Sequence, residues 1–338
     1  MRALDPTDLD GARLDRTDPE GAIAAAAKRV SNWGRWGDDD VKGTLNLLTD
    51  DHRRRAAALV RRGRSFSLAQ PFDMDGPQRG WRRRTNPVHT MLDTGTDAEA
   101  GVQGFPHGMG GADDVVAMPL QCSTQWDGLG HIFDHGRAWN GRRAGEVVTS
   151  LGDGVTGIQT VAADLAGRGV LLDVGRALGD DVAGTGGELP DGFAITPEHL
   201  EATIAAQGPS SEVGPGDILV VRTGQYGRAL RDGWGEYAGG PAPGLSFTTA
   251  DWLRERDVAA VATDTWGFEV RPNEFDVAFQ PLHQVVIPNM GLFLGEMWAL
   301  EELAADCTDD GSYEFLLVAA PLPVTGAVGA PLNPIALK

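Results

Sequence analysis

In the stretch LQCSTQWDGLGHIF, Leu120 to Phe133, a carboxylate and an imidazole, Asp127 and His131, lie four residues apart among small, sharp-turning residues. Residues of these types hold a divalent cation, or work as an acid–base pair tuned near neutral pH. The positions six and two before Asp127, which would complete a metal cluster upstream, hold the amides Gln121 and Gln125. Downstream, His283 is followed thirteen residues later by Glu296. The reading places His283 at the opening of a strand and Glu296 at the start of a helix. Taken singly, each has an ordinary explanation, a capping or surface histidine and a carboxylate favoured by the helix dipole.

Other residues carry weaker signals. His89, in TNPVHTML, follows the one strongly basic run, RGWRRRTNP (Arg79 to Pro87), and is a candidate for the same pocket. That run reads either as a solvated loop or as a local anion clamp. Arg222 closes an apolar run at VVRTG, where it pairs with a carboxylate structurally or meets substrate. Trp126 and Trp266 either wall an apolar or aromatic substrate or simply pack. Asp264, in ATDTWG, reads as a supporting or turn residue. His52 and His199 fall on polar faces of helices. Cys122 has no nucleophile-elbow context and reads as a buried, inert thiol. The GxGxxG, Walker and zincin patterns are absent.

The elements that must position these groups alternate between short apolar runs and amphipathic segments. Strands are expected over Gly167 to Arg176, Gly214 to Gly224, Val258 to Gly267, His283 to Gly291 and Tyr313 to Val324. Helices are expected from Gly21 to Arg29, after a cap at Thr49 or Asp50, over Thr196 to Gly208 with Pro197 at its first position, over Thr248 to Asp257, and over Gly295 to Asp306. Alternation of this kind implies an α/β arrangement. Ser31 to Thr49, with Trp33 and Trp36, reads as an ordered loop packed on the body. The expected organisation is an N-terminal surface arm, residues 1–29, and one domain from 30 to 338.

Length and composition agree. The 338 residues are 41% hydrophobic with 46 glycines, which suits a loop-rich globular core. A net charge of −19 argues against nucleic acid or an anionic membrane as partner. Two cysteines, Cys122 and Cys307, cannot build a disulfide framework and suit a reducing compartment. With no signal-like N-terminus and no apolar run of spanning length, a soluble cytoplasmic protein is the expectation.

The stretch from Gln121 to His131 resembles the signature H-x-G-T-H-x-D-x-P-x-H of the cyclase family, which includes bacterial kynurenine formamidase and isatin hydrolase. Thr124, Asp127 and His131 match. Gln121 and Gln125 replace the two family histidines, Ser123 the glycine, and Leu129 the proline. The runs GVLLDV (Gly169 to Val174) and GDILVVRTG (Gly216 to Gly224), with the late His283 and Glu296, look like the family's central strands and second histidine–glutamate element. The resemblance covers about residues 30 to 325, and NWGRWGDDDVKGTLN (Asn32 to Asn46) looks like a longer branch of the family.

The resemblance implies a cyclase-like swivelling β/β/α fold, a mixed sheet or barrel with flanking helices. It implies hydrolysis of a small cyclic amide, lactone or formamide. Carried over, the first metal position would offer Gln121, Gln125 and Asp127. Amide oxygens are weak donors for zinc or manganese, so at most one divalent metal is expected. Asp127, His131, His283 and Glu296 would hold it, or would act without metal in a lyase, dehydratase or cyclase reaction on a small carbonyl compound. A binding protein that kept the pocket and lost the metal is the third reading. Gln121 and Gln125, with Trp126, His89 and Arg222, are the expected substrate contacts, and a homodimer or homotetramer is the expected assembly. The glutamine NH2 groups would then hold a carbonyl or oxyanion.

Overall fold

Nine strands form one mixed sheet that curls into a half-barrel flanked by helices. In chain order they are β1 (Ser65–Ser67), β2 (Gln125–Asp127), β3 (Ala166–Asp173), β4 (Ile218–Arg222), β5 (Ala260–Thr263), β6 (Phe293–Glu296), β7 (Glu314–Val318), β8 (Gly329–Pro331) and β9 (Ile335–Leu337). Their order across the sheet is β1-β9-β7-β3-β4-β5-β6-β2-β8. Strands β3 to β6 run parallel to one another, while β7 and β2 close the two flanks antiparallel. This computed structural model describes residues 14–183 and 186–338, without the side chains of 179–183.

The parallel strands are mostly apolar because both faces are covered, and alternation sorts their side chains between two cores. Val170, Leu172, Leu219, Val221, Val261 and Leu294 pack on one face, under the helices Pro19–Val30, Pro197–Gln207, Thr249–Glu255 and Pro281–Val285. Leu171, Ile218, Val220, Ala260, Ala262 and Phe293 face the other way, with Trp126, Trp298 and the helix Glu301–Asp310. The expected strands around residues 170, 220, 262 and 316 are all present, shorter than the apolar runs by a few residues at their ends. The helices capped by Thr49 and preceded by Thr196 are present as well.

Two expectations are corrected. His283 to Gly291 is not a strand. It is a helix, Pro281–Val285, running into a wide turn of π-helix, Val286–Met290. The run is buried almost throughout, so its periodicity carries no helix-or-strand information, and Pro281 at the first helical position decides it. The strand of that region is β6, so Glu296 ends a strand and the next helix starts only at Glu301. The described part of the segment before residue 30 is helical and packs on the body. Ile23, Ala26, Ala27 and Val30 form a helical stripe buried against the body. The N-terminal residues 1–13 lie outside the described residues. Ser31 to Thr49 does pack as an ordered loop, with Thr44 bonded to the carbonyls of Ala259 and Gly291.

Candidate active site

The site grows from the pairing of β2 with β6. Glu296 stands opposite Gln125, Gly295 opposite Trp126 and Leu294 opposite Asp127. With a side-chain period of two, Gln125, Asp127 and Glu296 share one face, and Trp126 is sent to the other. There Trp126 is fully buried, packs edge-on to Trp298 at 5.0 Å and donates from Nε1 to the Ala319 carbonyl at 2.8 Å. Gly295 makes the room: a Cβ on it would stand 2.9 Å from the Trp126 ring. Trp126 is therefore a core residue, which corrects its expected place in a pocket wall.

Thr124 secures the turn after Glu296. Its hydroxyl donates to the Met297 carbonyl at 2.5 Å and accepts from the Gln70 N–H at 2.8 Å. Met297 has φ of +58°. Such a backbone costs roughly 1–3 kcal/mol for a residue other than glycine and persists only where its surroundings enforce it.

His283 comes from the helix over the sheet. Its Nδ1 lies 2.6 Å from Glu269 Oε1 and its Nε2 3.1 Å from Glu296 Oε1. Glu269 also accepts from the N–H groups of Leu282 and His283, at 3.1 and 2.9 Å. Glu269 is the residue that sequence reading missed. It lies in a loop with no motif around it, and only its position under the first turn of the His283 helix shows its use.

Gln125 bridges the carboxylates. Its Nε2 donates to Glu296 Oε2 at 2.9 Å and to Asp127 Oδ1 at 3.2 Å, while its Oε1 is buried without a partner. His131 Nε2 lies 3.7 Å from Asp127 Oδ2, with the side chain 11% exposed.

The electrostatics follow from three buried carboxylates around one imidazole. Burial, with the Asp127 charge, pushes Glu296 up to about 7 against the pull of His283. Burial works against the His283 cation, but bonds to Glu269 and Glu296 outweigh it and raise its pKa to about 10. Burial lowers His131, against the pull of Asp127, and so favours its neutral form.

These residues fit a divalent cation. One ligand atom each from Asp127, His283 and Glu296 lies within 4.8 Å of the others. With Nδ1 committed to Glu269, the Nε2 lone pair of neutral His283 points to the same place, the carboxylate–histidine support common to metal sites. The orphaned Gln125 Oε1 agrees, since a half-turn of the amide would present it to a cation between the two carboxylates. Two carboxylates, an imidazole and an amide oxygen make a hard, oxygen-rich donor set of the kind manganese takes.

The remaining expected residues lie elsewhere. Gln121 packs against Gly329, where a Cβ would come within 3.0 Å of its amide, and it bonds neither Asp127 nor Glu296. His89 sits on an exposed hairpin, Val88–Asp93 with Asp113–Ala117, bonded to Asp114 at 2.8 Å. The buried Arg222 donates to Glu301, Asp173 and the Gly187 carbonyl, so its donors serve structural partners. The carboxylate of Asp264 accepts from the Thr223 N–H and hydroxyl and the Gly224 N–H, each at 2.8 Å, a supporting role as expected. Cys122 and Cys307 are buried free thiols, raised by burial to about 11 and about 12.

A curled mixed sheet whose strands carry buried carboxylates to a histidine from an overlying helix has the arrangement of an α/β enzyme. The family model described as "Putative cyclase" matches residues 66–270, and the chain belongs to that cyclase family. The solved structure of a novel cyclase is similar at 39% identity, with a TM-score of 0.81 over 92% of this chain and 99% of that one. Isatin hydrolase A from Labrenzia aggregata, bound to benzyl benzoate, shares the fold at 18% identity and TM-score 0.57, covering 83% of this chain and 94% of its own. Isatin hydrolase A from Ralstonia solanacearum does so at 15% and 0.58, covering 81% and 91%. No curated protein matches the chain in sequence. Among the described residues no helix is long and apolar enough to cross a membrane.

Proposed function

We propose that the chain hydrolyses a C–N or C–O bond in a small cyclic amide, lactone or formamide, using one divalent cation held by Asp127, His283 and Glu296. The observation that carries this reading is the fixing of His283. Its Nδ1 is tied to Glu269 while its Nε2 faces the two carboxylates of the sheet. When bound, the cation supplies Lewis-acid polarisation of the carbonyl and a lowered pKa for water.

The chain's own residues do the rest. Glu269 holds the His283 ring in one tautomer and orientation. Gln125 stands between Asp127 and Glu296, where a half-turn of its amide would give its oxygen to the cation that they hold. His131, buried and favoured neutral, stands beside Asp127 as the base that takes a proton from the attacking water. The water oxygen adds to the carbonyl carbon, the ring or formyl C–N or C–O bond breaks, and the proton on His131 passes to the departing nitrogen or oxygen. One water is consumed, and a carboxylic acid with an amine or alcohol results.

The similarity in fold to isatin hydrolases supports the hydrolytic class, and the substrate class is the one the family resemblance implies. The second reading, proton-transfer chemistry without metal, rests on Gln125, whose NH2 already occupies the bridge between the carboxylates. Elemental mass spectrometry on protein purified without chelator separates them. About one equivalent of manganese or zinc, lost in Asp127→Ala together with hydrolysis, is expected. Lactonase or amidase activity that survives exhaustive chelation would favour the second. A homo-oligomer and a cytoplasmic setting complete the proposal, tested by light scattering and by localisation of the tagged chain.

A further inference from the structure

Beside the carboxylate–histidine cluster lies a cage of three rings and three guanidinium groups. Trp81 stands edge-on to Trp266 with centroids 4.7 Å apart and stacks on Phe279 at 5.3 Å. Arg84 lies 5.4 Å over Trp266, and Arg271 lies 5.6, 5.8 and 5.7 Å from Trp81, Trp266 and Phe279. Arg82 lies 6.0 Å from Trp81 and 5.8 Å from Phe279.

In a chain of net charge −19, arginines have carboxylates to choose from. Among the described residues none of these three forms an ion pair. The Arg271 guanidinium donates once, from Nη2 to the Gly239 carbonyl at 3.0 Å. Its Nε and Nη1 are buried without a partner, as is Nε1 of Trp266, a residue only 2% exposed. Buried donors with no acceptor are rare and costly, and several around one cage point to an acceptor that arrives from outside.

The cage adjoins the reacting groups. Gln280 Nε2 lies 3.4 Å from His283 Nε2. It also lies 3.6 Å from the point where a Cβ on Gly267 would stand, and Arg271 Cδ lies 3.6 Å from that same point. The charge of Arg84 reaches Glu296, His131 and Cys122, favouring the less protonated form of each. The loop that carries Arg84 is held in an uncommon backbone, with φ of +50° at Arg82 and +63° at Arg83. Strain of this kind collects at ligand clamps.

We propose that this cluster is a specificity subsite for an anion and that the substrate carries a carboxylate. Arg84 and Arg271 hold that group, and the rings, packed on one another, fix the two guanidinium groups beside the reacting residues. The proposal rests on the hydrolase reading for the bond that is cut, but not for the anion. A guanidinium fork matches a carboxylate in two parallel hydrogen bonds. The basic run from Arg79 to Pro87 is, on this view, an anion clamp over the active site.

Calorimetry on the metal-loaded full chain tests it, with benzoate and benzamide as probes of one ring with and without charge. Benzoate is expected to bind about tenfold more tightly than benzamide. Arg84→Gln should remove that preference, and Arg271→Gln should act in the same direction. Arg84 is part-exposed, so the first variant carries the test if the second fails to fold.

Equal affinity for the two probes, or no benzoate binding up to tens of millimolar, overturns the proposal. So does a preference for benzoate that survives in Arg84→Gln, since the carboxylate would then be held elsewhere. Turnover is not read here, so a failed hydrolase assay leaves the result standing. Conversely, equal hydrolysis of methyl 2-formamidobenzoate and 2-formamidobenzoate overturns the anion subsite while hydrolysis itself stands.

Discussion

Glu269 Oε1 and His283 Nδ1 meet at 2.6 Å, both side chains buried, on the side of the imidazole away from the other carboxylates. This contact fixes which ring nitrogen faces the centre. Glu269→Gln should lower divalent-metal affinity and turnover by about 10- to 100-fold, the usual cost of losing a carboxylate behind a ligating histidine. Metal titration and steady-state rates check it, with the circular-dichroism spectrum expected to be unchanged. Metal affinity equal to wild type would remove the assigned role of Glu269.

Gln125 separates two buried carboxylates with one NH2 group. In Gln125→Ala, Asp127 and Glu296 lose that shared donor, and the metal-free protein should lose about 1–3 kcal/mol of stability. Saturating manganese should recover most of the loss, because a cation replaces the missing donor. Denaturant unfolding with and without manganese measures both quantities. A loss that manganese does not change would place the cation elsewhere.

Trp126 is in the core on the far side of the strand from the site. Trp126→Ala should cost about 3–5 kcal/mol by leaving a cavity. Trp126→Phe should be much milder and leave KM unchanged. A large rise in KM with little loss of stability would put the ring against substrate after all.

Arg222 is buried between Asp173 and Glu301, with Nη1–Oδ1 at 2.8 Å and Nη2–Oε2 at 2.7 Å. Arg222→Ala strands these carboxylates and should destabilise the fold by about 3–5 kcal/mol. The rate per folded molecule should hold, as active-site titration against the folded fraction would show.

Asp306 supplies a pH dependence distant from the site. Burial pushes its carboxyl up, but bonds from Arg62 and Lys338 outweigh this and hold it below the ordinary value of 3.8. Lys338 Nζ lies 3.2 Å from Asp306 and 2.7 Å from Asp310. A depressed folded pKa means that the stabilisation is present above the unfolded value and disappears as pH falls through the folded one. The melting-temperature gap between wild type and Asp306→Asn should therefore be wide at pH 6 and close progressively below about pH 4. A gap that persists at pH 2 would contradict this coupling.

The central strands were legible because burial on both faces forces short, predominantly apolar runs such as ILVVR and AVAT. Asp127 and Glu296 were legible by type and by resemblance, and strand pairing brings them together. The helix carrying His283 was not legible, because a segment buried on every side has no polar face from which to read a period. Trp126 was misplaced for the opposite reason. Its type suits a pocket as well as a core, and only the alternation of β2, unknowable before its register, sends it away from Asp127. Glu269 and the arginine–tryptophan cage needed tertiary structure, since their partners lie in separate loops.

The three residues Gln125, Trp126 and Asp127 serve two compartments in alternate steps, and this sets how the gene can change here. Replacing one side chain affects one compartment and leaves the other nearly untouched. A single codon gained or lost just upstream of Gln125 would shift the register by one, pressing two polar groups into the tryptophan layer and an indole against Glu296. This stretch should therefore tolerate a conservative substitution far better than an insertion or deletion.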